Sequence, residues 1–593
     1  MKLEFREWKD LKIRWMHVSL RLFMYICMYA NIDQWNYRER VMRQVNLGVW
    51  CPSRLGPSCC IDSRIPLTTW PIEARTRHDI PHHVRVSRRV FDRPSEYYMC
   101  VGCVCICIYA VMMIKFSIFQ VYLLSVFVKF LTISEKMYRS TDFEVHRNWL
   151  SLTFSLPFEQ WYTDSRNQWS LDYPPFFAYF EYILSKIANF FPNLQQMLNV
   201  NNIDYINFGT IIFQRLSVIA ISDAILLLGL YCAAPRNKNV VCALGLFSST
   251  LFIVDHVHFQ YNGMLLGILL LSIYYVESGK FYAGALTYFV LIYFKHIFLF
   301  CAPVYLCHYL RFFVGISIRK FLNLLAILLA VSAVALGPLI YTNQLVPAIH
   351  RLFPFGRGLM HANWTPNFWS LYLACDLVLG KITGNSAKSN ITRGIVGVSH
   401  TAVLPDITPT ISLGIVLLMY IPLLVVQWKI ATRYSFAQWV AFGNAIVFAF
   451  GYHIHEKAAL MFLLPLLIHT ATVDHTRVHY KILSFSVCCS VIQLIFRDTD
   501  SVLKWTILFT GFAMEGMLLP SATSLVYLIS IYPEIYRISS GYMFINNDYP
   551  FIPIILNNSV NAMVIGYSVV SYFKNTIHTP QPKQYVRVYP VNM

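Results

Sequence analysis

The sequence predicts an all-α, polytopic membrane protein with about 11–14 transmembrane helices, plus further helices in the loops of one face. Three observations carry that expectation. Of 593 residues, 56% are apolar and only 13% charged, against roughly 45–50% and 25% in soluble domains. Too few charges remain to cover a water-facing surface, which excludes an ordinary soluble enzyme. From about residue 105 the apolar residues gather into runs, the first being CICIYAVMMIKFSIFQVYLLSVFVKFL, long enough to span a bilayer core of roughly 30 Å. Basic residues collect in alternate connections between the runs, as the positive-inside rule requires.

In chain order, residues 1–100 stand apart. They hold 17 Lys and Arg against 10 Asp and Glu, a net +7 of the chain's +18. They contain no long apolar run and no sustained helical period, and their charge is interleaved from the first residues, unlike a signal peptide. This segment reads as an atypical, disordered extension. Its crowd of Cys51, Cys59, Cys60, Cys100, Cys103, Cys105 and Cys107 lacks paired CxxC spacing, so no zinc is expected there.

Candidate crossings follow at 105–131, 208–232, 241–254, 261–276, 281–294, 296–310, 321–341, 411–428, 437–451, 458–471, 481–496, 503–519, 520–533 and 551–573, within a domain spanning 101–573. Residues 574–593 form a tail. With a cytosolic N-terminus, Arg236 and Lys238, Lys280, Arg311, Arg319 and Lys320, Lys429 and Arg433, Arg477 and Lys481, and the tail's Lys574, Lys583 and Arg587 all fall on the cytosolic side. The surplus of positive charge is therefore topological. No nucleic-acid partner is expected, and the membrane lipid is.

The same parity puts five polar stretches together on the opposite face: STDFEVHRNW with LDYPPF (140–149 and 171–176), VDHVHFQYNG (254–263), YFKHIF (293–298), RLFPFGRGLMHANWTPNFW (351–369) and GYHIHEKA (451–458). One ionisable group at a membrane edge is commonly a side chain reaching for headgroups. Five clusters on one side point instead to a site facing a cavity. Lys295, Arg351, Arg357 and Lys457 lie where topology disfavours cations, so a bound anion explains them better. Phosphate is the anion of a membrane face, held bidentately by Arg and as a point charge by Lys. Acids are fewer: Asp142, Glu144, Asp172, Asp255 and Glu456. An inverting glycosyl transfer needs one carboxylate to take the acceptor's proton, provided cations stabilise the departing phosphate.

STDFEVHRNWL, LDYPPFFAYFEYIL, VDHVHFQYNGMLLG, FKHIFLFCAPVY, RLFPFGRGL, HANWTPNFWSLY and HIHEKAAL, in this order, closely resemble the endoplasmic reticulum α-1,3-glucosyltransferases that use dolichyl-phosphate glucose. The resemblance runs from about residue 105 to 573. FEVHRNW, the two phenylalanines after LDYPP and the following FEYIL look more like the member adding the second glucose than the sibling adding the first. The resemblance implies a GT-C type transferase with a lumenal active site and no cofactor. The donor would be dolichyl-phosphate glucose and the acceptor a dolichyl-diphosphate oligosaccharide, Glc1Man9GlcNAc2-PP-dolichol, with inversion in a single displacement.

By the same resemblance Asp142 takes the place of the general base, although Ser140-Thr141-Asp142 also reads as a helix start that Asp142 could cap. Substrate contacts are expected from Asp172, Glu144, Arg147, His256, His258, Gln260, Lys295, Arg351, Arg357, His455 and Lys457. Asp172 precedes two prolines that stiffen its loop. His256 and His258 alternate as zinc ligands can, but no third ligand is fixed, and HIHEK lacks the HExxH order, so no metal is expected. Lys457 reads as a phosphate partner with Glu456 its ion-pair mate, and Tyr261 and Asn262 as further polar contacts. Arg351 and Arg357, around Pro354 and Gly356, read as residues of one turn converging on a phosphate. Aromatic residues, 16% of the chain, mostly suit interfacial belts, while Trp149, Trp169, Trp364 and Trp369 are candidates to stack on sugars. Asn390-Ile-Thr and Asn363-Trp-Thr are glycosylation patterns on the lumenal side, the second weakened by Pro366. A transporter is the alternative from a different class. It would show inverted repeats, and no internal repeat is found.

Overall fold

The computed structural model describes residues 117–130, 132–133, 138–353, 355–361, 364–385, 400–430, 435–495, 500–521, 526–540 and 552–578. The chain divides into two units, Met1–Arg88 and Arg89–Met593, and every described residue belongs to the second. The expectations for residues 1–100, for the sequons at Asn363 and Asn390 and for the tail beyond residue 578 lie outside the described residues.

Among the described residues the regular structure is helical throughout, with no strand. Apolar chain in lipid must satisfy every backbone N–H and C=O internally, and helices do so within one segment. A short helix α1 (Ile118–Phe130) precedes two helices of the first polar region, α2 (Thr141–Ser155) and α3 (Pro175–Asn189). The series continues with α4 (Phe208–Ala233), α5 (Lys238–Val257), α6 (Asn262–Glu277), α7 (Phe281–Phe294), α8 (His296–Val314) and α9 (Ile318–Tyr341). The short α10 (Leu345–Leu352) and α11 (Phe368–Ile382) flank the long polar loop. Then come α12 (Pro409–Ile430), α13 (Phe436–Phe450), α14 (Leu460–Thr470), α15 (Arg477–Val491), α16 (Ser501–Leu518), α17 (Val526–Ser540) and α18 (Ile552–His578).

Six of these, α4, α5, α8, α9, α12 and the bulk of α18, are long and apolar enough to cross a membrane, and five shorter apolar helices accompany them. Their starts are set by caps. Asn207 accepts from Thr210 N at 2.7 Å, Asn367 from Trp369 N at 3.1 Å, and Ser435 forms a reciprocal box with Gln438. α3 begins behind Pro174 with Pro175 in its first turn, where proline's missing N–H costs nothing.

Burial sorts the helices into layers. In α5, 78% of the most apolar window is buried, against 17% in α9 and 22% in α12, so α5 is interior and the other two peripheral. The expected crossing at 458–471 is an 11-residue helix, α14, with every residue buried. It is apolar all round because it is wrapped by protein, and at 1.5 Å per residue it reaches only about 16 Å. The centre is drawn tight by α4 against α6. A Cβ on Gly267 would stand 2.4 Å from Ile225 O, and one on Gly229 2.5 Å from Gly267 O, so only glycine permits these backbones to touch. Two π-helical turns, Val218–Ser222 in α4 and Phe252–Val257 in α5, lie side by side, linked by Ser222 Oγ to Asp255 Oδ2 at 3.3 Å. Such turns re-aim the residues beyond them, here 258–263.

Candidate active site

Asp142 occupies the first turn of α2, yet it does not cap that helix. The capping position is Ser140, whose hydroxyl donates to His258 O and accepts no bond from a backbone N–H of the helix. Three side chains gather at one oxygen of Asp142. Oδ2 accepts from Gln260 Nε2, lies 3.3 Å from His258 Nε2 and 3.6 Å from Lys457 Nζ. Three of the five polar stretches therefore meet at one carboxylate, whose side chain remains 25% exposed. Burial alone would raise its pKa. Lys457, then His258 and Gln260, outweigh that and hold it well below the usual carboxylate range.

Asp172 follows α2 in the stiffened LDYPP loop and receives Arg357 Nη2 at 3.2 Å. Burial raises its pKa despite Arg357, and Asp142 adds repulsion. Lys295, between α7 and α8, donates to Asn262 Oδ1 at 3.2 Å and stands 5.2 Å from the centre of the Tyr173 ring. Burial, with Lys457 adding repulsion, pushes its pKa down to about 7. His455 packs against His361 with the rings tilted by 36° and their centroids 4.1 Å apart. Burial drives both below the ordinary imidazole range, His361 to about 3, so both are neutral at physiological pH. His361 was not singled out from the sequence. A lone histidine in a long loop carries no local signal, and it becomes notable only because its Nδ1, Glu456 Oε2 and His453 Nε2 are buried without a hydrogen-bond partner.

The long loop is stitched onto the segment after α13. His453 N donates to Leu359 O and its ring bonds Gly358 O, both at 2.9 Å; Thr365 donates to Ile454 O; and Trp369 Nε1 donates to Gly451 O at 3.1 Å. Phe259, Trp364 and His453 all hold positive φ, at 83°, 55° and 52°. Non-glycine residues in that region persist only where surroundings enforce them, and such residues cluster at functional sites.

Other expected residues are placed elsewhere. Glu144 and Arg147 pair with each other through two bonds of 2.6 Å, and Arg147 also holds Met197 O at 2.9 Å. They fasten α2 to the segment beyond α3. His256 turns to Asp223, which also binds Lys129 at 2.8 Å, so the two alternating histidines face different partners. Arg351 sits in the last turn of α10, not on a turn shared with Arg357, and donates to Asp164 O at 2.6 Å. Lys457 pairs with Asp142 rather than with Glu456, whose pKa burial raises. Trp149, Trp364 and Trp369 are at most 2% exposed and have no ring face open to a sugar. They are core residues because each indole found an apolar wall and, for Trp149 and Trp369, a carbonyl partner. His146 joins Glu181 at 2.7 Å inside a cage of Trp149, Phe177, Phe259 and Tyr261, a pairing across 35 residues that no local spacing announces.

Among the described residues, one set, His361, His455 and Glu456, brings potential metal-ligating atoms within 4.8 Å of one another. Ligands at the zinc bond length of about 2.0–2.1 Å stand only about 3.4 Å apart in a tetrahedron, and a lysine directly follows the set. Chemically, the assembled groups offer one ionised carboxylate, two neutral imidazoles, the cations Lys457 and Arg357, and Lys295, which changes charge near neutral pH.

Fold and site together define an integral membrane glycosyltransferase. The sequence model of the ALG6, ALG8 glycosyltransferase family matches residues 104–572, and the chain belongs to that family. It is similar to a dolichyl pyrophosphate Glc1Man9GlcNAc2 alpha-1,3-glucosyltransferase of Arabidopsis thaliana, 43% identical over 62% of this chain and 75% of that protein. A probable enzyme of the same name from Drosophila melanogaster is 37% identical over 74% and 90%. The Bos taurus enzyme is 35% identical over 75% and 93%.

Proposed function

We propose that this glycosyltransferase adds the second glucose, in α-1,3 linkage, to Glc1Man9GlcNAc2-PP-dolichol, taking it from dolichyl-phosphate glucose at the lumenal face of the endoplasmic reticulum membrane. The acceptor follows the names of the relatives. The single observation that carries the mechanism is the one-sided dressing of Asp142, with Lys457, His258 and Gln260 all on Oδ2. In this reading Oδ1 is the oxygen that receives the proton.

In the reaction, the acceptor hydroxyl gives its proton to Asp142 Oδ1 as its oxygen bonds the anomeric carbon. The bond from that carbon to the phosphate oxygen breaks on the opposite face, and the electron pair leaves with dolichyl phosphate. Inversion follows from the single displacement. Lys457, Lys295 and Arg357 are the cations that meet the phosphate, so no acid is needed to protonate it. Arrival of the phosphate draws Lys457 away from Asp142 and returns basicity to the carboxylate at the moment it is required.

The test is an acceptor comparison with the purified full-length protein and dolichyl-phosphate glucose. Extension of the monoglucosylated lipid-linked oligosaccharide and not of the unglucosylated one is expected. Extension of only the unglucosylated acceptor would overturn the assignment in favour of the first-glucose reaction, and transport without transfer would overturn the enzyme reading.

A further inference from the structure

We propose that Asn262, anchored by Asp255, is a positioning residue that joins the cation Lys295 to the base Asp142 through Gln260. The proposal rests on the reading of Asp142 as the general base. The direction of each amide follows from its hydrogen-bond partners. Asp255 Oδ1 is an acceptor, taking the Asn262 backbone N–H at 3.1 Å, so the side-chain atom of Asn262 facing it is Nδ2, which leaves Oδ1 to accept from Lys295 Nζ at 3.2 Å. Nδ2 then points the other way and donates to Asp255 Oδ1 at 2.9 Å and to Gln260 Oε1 at 2.7 Å. With Oε1 so occupied, Gln260 presents Nε2 to Asp142 Oδ2. Reversing Asn262 would set its carbonyl against the accepting oxygen of Asp255. Reversing Gln260 would set carbonyl against carboxylate. Donor and acceptor therefore alternate in one sense from Lys295 to Asp142, across the α7–α8 connection, the start of α6 and the start of α2.

Asp255 is the anchor of this chain and does not reach the substrate, being 1% exposed. It accepts from Asn262 N at 3.1 Å, Gly263 N at 2.7 Å and Ser222 Oγ at 3.3 Å, which also caps α6 from the π-helical turn of α5. Gly263 makes the approach possible, because a Cβ there would stand 2.7 Å from Ser222 Oγ and 3.3 Å from Asp255 Oδ2. Gln260 thereby has both ends of its amide committed within the protein. Its work is to hold Asp142 Oδ2 so that Oδ1 faces the acceptor.

Residues acting in series lose their effect once any link is cut. Steady-state kinetics and thermal unfolding are measured on the full-length protein carrying Asn262→Leu, Gln260→Leu or both, beside Asp142→Asn. Asn262→Leu is expected to lower kcat roughly 10- to 100-fold, the worth of one hydrogen bond to a charged group, with acceptor KM within about twofold of wild type. The double variant is expected to lose no more than the worse single one. Multiplying losses in the double variant, or a raised KM with kcat intact, overturns the proposal in favour of separate substrate contacts. Should Asn262→Leu fail to fold, Asp255→Asn keeps the volume and weakens the anchor; it is expected to lower kcat without moving KM, and an unchanged kcat overturns the anchoring role. An active Asp142→Asn protein would sink the base reading itself. An inactive Asp142→Asn beside a fully active Asn262→Leu sinks only the present proposal.

Discussion

Replacing Lys457 by methionine removes a charge 3.6 Å from Asp142 Oδ2 while keeping most of the side chain's volume. Two unit charges about 4 Å apart attract by about 1 kcal/mol in water and about 4 kcal/mol at the effective permittivity near a protein surface. The two side chains are 17% and 25% exposed, which places the pair between those limits. At 1.36 kcal/mol per unit, the Asp142 pKa should rise by about 1 to 3 units. Asp142 accepts a proton only as the carboxylate, so activity is lost as pH falls through its pKa, and raising that pKa moves the acid limb of kcat/KM to higher pH. The plateau should drop as well if, as proposed, Lys457 also meets the leaving phosphate, but plateau height and limb position are separate readings. Lys457→Arg keeps the charge and should leave the limb in place. The assay is transfer of labelled glucose to the monoglucosylated lipid-linked acceptor across the acidic range. An acid limb unmoved in Lys457→Met, whatever the plateau does, refutes the coupling. Under the same logic the limb of kcat, with donor bound and Lys457 shared with phosphate, should lie at higher pH than that of kcat/KM.

Asp142→Asn should reduce transfer on the order of 10²- to 10⁴-fold with an unchanged unfolding temperature, measured by transfer assay and thermal unfolding side by side. Arg147→Met leaves Glu144 without its buried partner and should cost about 3–5 kcal/mol of stability, read as a lowered unfolding midpoint, while surviving folded protein keeps the wild-type acceptor KM. Gly267→Val forces a side chain into the backbone of α4 and should destabilise by about 1–3 kcal/mol or more; a folded protein of wild-type stability would show that α4 and α6 do not pack as described.

How far the site could be read in advance differed from residue to residue. Asp142, His258, Gln260 and Lys457 could each be picked out as costly polar groups at the ends of apolar runs, because lipid penalises them and so makes them conspicuous. Their convergence could not. Asp142 and Gln260 are 118 residues apart, and their contact depends on the π-helical turns of α4 and α5 and on the glycine-thin seam of α4 with α6. For the same reason Arg147 and Glu144 resembled substrate ligands, since charge attracts attention whether it faces a phosphate or a neighbouring side chain. Trp149, Trp364 and Trp369 resembled sugar platforms because residue type does not reveal which side of a loop is covered.

Sequence alone determined the class of this protein. The ratio of apolar to charged residues depends on solvent, not on packing, and the ordered motifs carry the family in their wording. Tertiary structure decided which charges pair among themselves, which imidazoles are neutral, and which side chains gather on Asp142. Those depend on distances of a few ångströms between segments far apart in the chain, and hydrogen bonds and close charge pairs gain or lose most of their strength over that range.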